Sequence, residues 1–176
     1  MRDGFDRAST NRIAAQAGVS IGSLYQYFPS KEALVMAVAE RHNRDLMTIV
    51  RRALAEVAGQ PIETGMRALV AAAIAAHAHD PALHRVVSEQ TPRTDALAGL
   101  EPFNREAHAL LRAYLEDHRD EIRAADLDLA VFVCMTSIEA LTHTAVLHRS
   151  DMLRGEAHAA LVDEASRLVI GYLRPA

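Results

Sequence analysis

Apolar residues along this chain recur at helical spacing, and no stretch alternates apolar and polar residues long enough to make a strand. The pattern predicts a short helix that Ser9 or Thr10 can cap and that runs to Ala17. Gly18 then supplies the left-handed residue that ends it. Ser20 caps a second short helix, closed by Pro29, because the residue before a proline is pushed out of the helical region. Ser30 caps a third, with Glu32 in its first turn where the helix dipole favours an acid. This helix runs from Lys31 to about Val57, before Gly59 and Pro61. Further helices are predicted at about 62–79, 82–90, 101–119, 126–148 and 155–173. The breaks between them fall at Asp80-Pro81, Pro92, Gly99 to Pro102, and Asp151 to Gly155. The fold class is all-α, without internal repeats or low-complexity segments.

Composition agrees with that picture. The 176 residues fit one or two domains and bury roughly 70% of their unfolded surface. Half are apolar and 24% are charged, the balance of a soluble globular protein. The one cysteine, Cys134, excludes an intrachain disulfide and a cysteine-based zinc site, and points to a reducing compartment. No secretory apolar region opens the chain. The least charged run, Leu127 to Leu147, still holds Asp128, Glu139 and His143 and reads as too polar for lipid, so a cytoplasmic protein is expected.

The net charge of −4 is unevenly spread. Residues 1–52 hold eight basic and five acidic groups, whereas residues 53–176 hold eleven and eighteen. No acid lies between Arg7 and Lys31. A small basic end on an acidic body suits a protein that meets phosphates with one end only.

Residues 9–28 read as a helix-turn-helix. Two short helices cross at a tight turn, so Ala14 is small where they touch, Gly18 permits the turn, and Ile13, Ala17, Val19 and Leu24 fill the shared core. The second helix then exposes Ser20, Ile21, Gly22, Ser23, Tyr25, Gln26 and Tyr27. Such a face lies flush in a major groove and donates to phosphates and base edges. A plain amphipathic hairpin is the alternative, but an idle solvent face rarely carries two tyrosines and a glycine in place of Glu and Lys.

Residues 19–34, Val-Ser-Ile-Gly-Ser-Leu-Tyr-Gln-Tyr-Phe-Pro-Ser-Lys-Glu-Ala-Leu, resemble the signature of TetR-family regulators. The resemblance implies a helix-turn-helix DNA-binding head over 1–45 and a helical-bundle domain for ligand binding and dimerisation over 46–176. Thr10 and Lys31 would hold phosphates, and Ser20, Ser23, Tyr25 and Tyr27 would meet phosphates or base edges. Gly22 would allow close approach, while Ile21 and Gln26 would read bases. Gln26 suits a bidentate contact to adenine and Ile21 the methyl of thymine. In the family a full helix precedes this motif. Met1 to Asp6 resemble only its end, so the chain reads as N-terminally truncated relative to the pattern, leaving Ile13, Leu24 and Phe28 short of a packing partner.

In the body, Leu127, Val131, Cys134, Ile138, Leu141 and Ala145 recur at spacings of four and three, with Leu129, Phe132, Ala140 and Leu147 on the opposite side. Leu161, Ala165, Leu168 and Tyr172 form a second stripe. A helix apolar on both sides is buried on both, and core packing alone accounts for such stripes. The resemblance implies instead that Leu127, Val131, Cys134, Ile138, Leu141, Leu161, Ala165, Leu168 and Tyr172 pair two copies as a homodimer. It also implies a pocket for a small apolar or amphipathic effector, with Phe103, Leu110, Tyr114, Met135 and Glu139 as candidates, each of which ordinary core packing also explains.

The expected protein is a transcriptional regulator, specifically a repressor released from a palindromic DNA operator by the effector. No metal or cofactor is expected. His77 and His79 diverge on a helix, and His84, His108 and His143 are scattered. Two rivals stand: a helical sensor or partner-binding bundle without DNA binding, and a small all-helical enzyme. The enzyme lacks a nucleophile triad, paired acids or a phosphate-cradling loop, and Glu139 with His143 is a single weak pair.

Overall fold

The computed structural model describes residues 9–81, 83–85 and 93–174. Among them run α1 (Thr10–Ala17), α2 (Ile21–Tyr27), α3 (Lys31–Glu56), α4 (Ile62–His79), α5 (Arg93–Asp117), α6 (Leu127–His148) and α7 (Gly155–Leu173). Short 3-10 turns lie at Arg119–Glu121 and Ser150–Leu153. No strand occurs among the described residues. Met1 to Asp6 and most of the helix expected at 82–90 lie outside them.

Local chemistry sets the ends of the first helices. Ser9, Ser20 and Ser30 are extended N-caps whose hydroxyls accept from the amides of Arg12, Ser23 and Ala33. Each such cap is worth about 1 kcal/mol over alanine. Gly18 takes φ 69°, the left-handed region that side chains disfavour, and closes α1. Phe28 is extended at φ −130°, as its place before Pro29 requires.

One boundary differs from expectation. The helix expected at 101–119 begins at Arg93, and the break expected at Gly99 to Pro102 is absent, with Pro102 inside α5. Proline has no amide to bond back one turn, so α5 continues with one ladder bond fewer. Packing of α5 on α3 and α6 outweighs that local signal.

The core lies in the body. Met66, Val70 and Ile74 on α4 face Leu115 on α5, Val131 and Cys134 on α6, and Val169 and Leu173 on α7, all but sealed from solvent. Each such side chain contributes roughly 1.5–3 kcal/mol. By length and composition α6, at mean hydropathy 1.5, could cross a membrane, so its polarity is a weaker bar to lipid than expected. Its Leu127, Ala130, Val131, Cys134, Thr142, Ala145 and Val146 are instead buried within the protein. The second half of α3 packs on α4 and α5, so one unbroken helix joins the body to the small unit formed by α1 and α2.

Candidate functional site

The crossing of α1 and α2 is held by few atoms. Ala14 and Leu24 are buried and Ile13 half-buried. Ala17 and Val19, expected in this small core, are exposed. At the Gly18 turn the Val19 amide, rather than its side chain, binds α1 by donating to the Ala14 carbonyl at 3.0 Å. The side chain is left outside.

The outward face of α2 carries the sequence candidates. Tyr27 is 79% exposed and Tyr25 45%, with Ile21, Gly22 and Gln26 exposed beside them. The Ser20 hydroxyl accepts from the Ser23 amide at 3.0 Å and lies 2.8 Å from the Ser23 hydroxyl. Thr10 Oγ1 and the Tyr25 hydroxyl are 3.0 Å apart, which ties the start of α1 to α2. A Cβ at Gly22 would meet only Ser20 Oγ, at 3.8 Å. Nothing described within the chain therefore demands glycine there, and its effect is to flatten the surface. Lys31 sits half-buried at the start of α3. The result is a shallow face of hydroxyls, an amide and two phenol rings, with no carboxylate from residue 9 to residue 30.

A cavity of about 150 Å³ lies between α3, α4, α5 and α6, walled by apolar side chains such as Leu46, Val50, Met66 and Leu69. Of the sequence candidates, Phe103, Met135 and Glu139 line it, and His77 and Asn104 add polar atoms. Leu110 and Tyr114 do not line it. On α5 the lining positions are Phe103, Asn104, Ala107 and Leu111, a helical stripe that leaves Leu110 beside it. Tyr114 lies one turn further on, buried in the core with its hydroxyl packed against Gly65. Across Phe103 runs a second, polar groove of about 490 Å³, walled by Glu40, Asn43, Arg44, Thr48, Arg51 and Glu106.

The expected dimer residues divide. Leu127, Val131, Cys134 and Ala165 belong to the core of one chain, at 6% exposure or less, so they are not free to meet a second copy. Ile138, Leu161 and Tyr172 are half-buried against that core, and Ile138 also lines the cavity. Leu141 and Leu168 are exposed. The stripe facing α4 and α5 is consumed within the chain, and the other side of α6 projects Leu129 at 53% and Phe132 at 61% exposure.

The histidines are the feature that sequence reasoning missed. His42 from α3, His77 from α4, His84 from the helical residues 83–85, and His143 from α6 form one cluster, not a scatter. The His84 ring centroid lies 4.8 Å from His77, 5.4 Å from His143 and 5.9 Å from His42. Burial, followed by the charges of His77, His143 and His42, pushes the His84 imidazole down to about 3. Burial also lowers His77. Apart from His77 and His84, which are seven residues apart across the Asp80-Pro81 break, the members come from segments 35 to 101 residues distant and carry no local signal of this meeting.

Short crossed helices with an exposed hydroxyl face, mounted on a bundle with an internal apolar cavity, define a helix-turn-helix protein with a chamber. Residues 61–173 match the family described as tetracyclin repressor-like, C-terminal domain, and residues 1–38 match bacterial regulatory proteins, tetR family. The chain belongs to the TetR family, whose members are transcription regulators and not enzymes. A nucleoid occlusion factor SlmA from Actinobacillus pleuropneumoniae serotype 5b is 48% identical over 44 residues, 25% of this chain and 22% of that protein. The chain thus spans under a quarter of the length of that curated relative. A tetR-family regulatory protein from Rhodococcus RHA1 has a similar fold at TM-score 0.74 and 16% identity, covering 97% of this chain and 88% of that one. Thermus thermophilus FadR, a repressor solved in complex with lauroyl-CoA, is similar at TM-score 0.67 and 21% identity, covering 99% and 90%.

Proposed function

We propose that this chain is a cytoplasmic transcriptional repressor that binds a palindromic operator as a homodimer and leaves it when a small amphipathic effector fills the cavity. The observation that carries the reading is the α2 face, where Tyr25, Gln26 and Tyr27 stand exposed on an acid-free surface. Thr10, Ser20, Ser23, Tyr25, Tyr27 and Lys31 position the head on phosphates, Gly22 lets the helix approach, and Ile21 and Gln26 read bases. Two copies join through the exposed side of α6 and α7, with Leu129, Phe132, Leu141 and Leu168 at the contact. Their recognition helices then lie roughly 34–36 Å apart, one turn of duplex.

The domains proposed at 1–45 and 46–176 share α3, and that sharing supplies the switch. At roughly 1.5 Å per residue, α3 spans about 39 Å. It begins beside α2 and ends with Leu46, Val50 and Leu54 on the cavity wall. The cavity is smaller than the roughly 300 Å³ at which ligand sites begin, so an effector must move its walls, α3 among them. An apolar cavity and a polar groove that share Phe103 suit an apolar chain with a polar head. Lauroyl-CoA in the Thermus thermophilus FadR complex is such a molecule. A coupling of about 1–3 kcal/mol suffices for induction.

The test is binding to DNA flanking the protein's own gene, with operators altered one base pair at a time. Gln26→Ala is expected to relax preference at one position by about 1–3 kcal/mol. Unchanged preference at every position would remove Gln26 from the reading face.

A further inference from the structure

We propose that the effector is a lipophilic amine, bound as its ammonium ion with the charge on Glu139 and the apolar body in the cavity between α3, α4, α5 and α6. The inference rests on that cavity being the effector site and names the chemistry it selects. Amphipathic molecules carry heads of either sign, and the cavity wall distinguishes them. Among the described residues, Glu139 is the one charged side chain on that wall, and no Lys or Arg joins it. His77 adds no positive charge, because burial holds its imidazole below the ordinary range. A carboxylate or phosphate head would lie beside Glu139 with nothing to offset the repulsion. An ammonium ion instead donates a charge-assisted hydrogen bond to it.

Hydrogen-bonding valence points the same way. A carbonyl only accepts, so His77 donates from Nδ1 to the Ala73 oxygen at 2.7 Å, and the neutral ring keeps Nε2 as an acceptor. Glu139 accepts only, and Asn104 both donates and accepts. A wall so rich in acceptors calls for protons from the ligand, and a primary ammonium brings three. Phe103 adds an aromatic ring, whose face attracts a cation and repels an anion. Glu139 is exposed and also lines the cavity, so it stands where the cavity meets solvent. The charge is held at that rim, and Leu46, Val50, Met66 and Leu69 take the apolar body.

The groove beyond Phe103 offers an anion no better seat. Its guanidinium groups, Arg44 and Arg51, are matched in number by the carboxylates of Glu40 and Glu106. Arg51 is already paired with Glu106, to which its Nε donates at 2.9 Å. Among the described residues, neither space holds a surplus of positive charge for a phosphate-bearing head.

The experiment titrates the full chain with octylamine, octanol and octanoic acid by calorimetry near neutral pH. The three share one alkyl chain, so a difference between them reports the head alone and needs no variant. Octylamine is expected to bind about tenfold more tightly than octanoic acid, with octanol between them. Glu139→Gln, at an exposed position, should remove most of that preference. Ala107→Leu, which narrows the cavity, should weaken all three compounds. Octanoic acid or octanol bound as tightly as octylamine overturns the proposal and leaves the effector site standing. So does a preference for the amine that survives in Glu139→Gln. Octylamine affinity undiminished in Ala107→Leu puts the amine outside the cavity and overturns the proposal as well. No binding by any of the three overturns the effector site and this proposal together.

Discussion

The head and the body of this protein treat apolar surface in opposite ways. In α1 and α2 only Ala14 and Leu24 are buried, while two tyrosines and an isoleucine of α2 face solvent. From α4 to α7, buried side chains of four helices close on one another, and the exposed apolar residues concentrate on α6 and α7. Where the core is thin, large exposed groups contribute little to the fold beyond the Thr10–Tyr25 contact and must be accounted for by contact with something else. Where the core is full, the same kind of exposure marks a face that the chain does not use for itself. Exposure is therefore more informative than hydrophobicity about where this molecule meets partners.

Neighbouring residues on α6 give the sharpest way to break that comparison. Val131→Asp places a charge in the sealed core and is expected to destabilise the chain by about 4 kcal/mol or more, read by urea unfolding. Phe132→Asp, one residue on, should leave the helical content intact and halve the mass seen by light scattering. If both variants behave alike, the division of α6 into an inner and an outer face is wrong.

Acid should act on the body through His84. Its folded value of about 3 lies below the usual 6.5, so as pH falls through 6.5 the unfolded chain takes up a proton that the folded chain refuses. Stability contributed here is full above pH 6.5 and declines toward pH 3. Melting curves across this pH range should show that decline, and His84→Gln should flatten it.

A smaller effect is expected in the head. Gly18→Ala meets nothing within 4 Å, so its penalty is conformational, about 1 kcal/mol for a left-handed residue. A larger loss would show hidden packing at the turn. The smallest belongs to Tyr114→Phe. The Tyr114 hydroxyl is buried without a hydrogen-bond partner, so removing it should leave stability within about 0.5 kcal/mol or raise it.

What the sequence made legible was local. Serines before α1, α2 and α3, Gly18 and Pro29 mark their own structural roles, because capping and φ restrictions act within a few residues. The exposed face of α2 was readable for the same reason. Pro102 misled because tertiary packing overrode it. Which side of α6 faces inward was not readable, since both sides are apolar and only the positions of α4 and α5 decide. Of the cavity, Phe103, Met135 and Glu139 were found, while Leu110 and Tyr114 fell just off the lining stripe. The histidine cluster was invisible because its members come from separate segments.

The central claim is that the α2 face grips duplex DNA while contributing almost nothing to the fold, and Tyr27, at 79% exposure, tests it most directly. The measurement is operator affinity across a salt series, paired with unfolding stability, for the unaltered chain and Tyr27→Ala. The account predicts salt-sensitive binding that weakens about tenfold in the variant, with stability unchanged to within about 0.5 kcal/mol. Affinity equal in the two proteins, or no salt-sensitive binding by the unaltered chain, would contradict it.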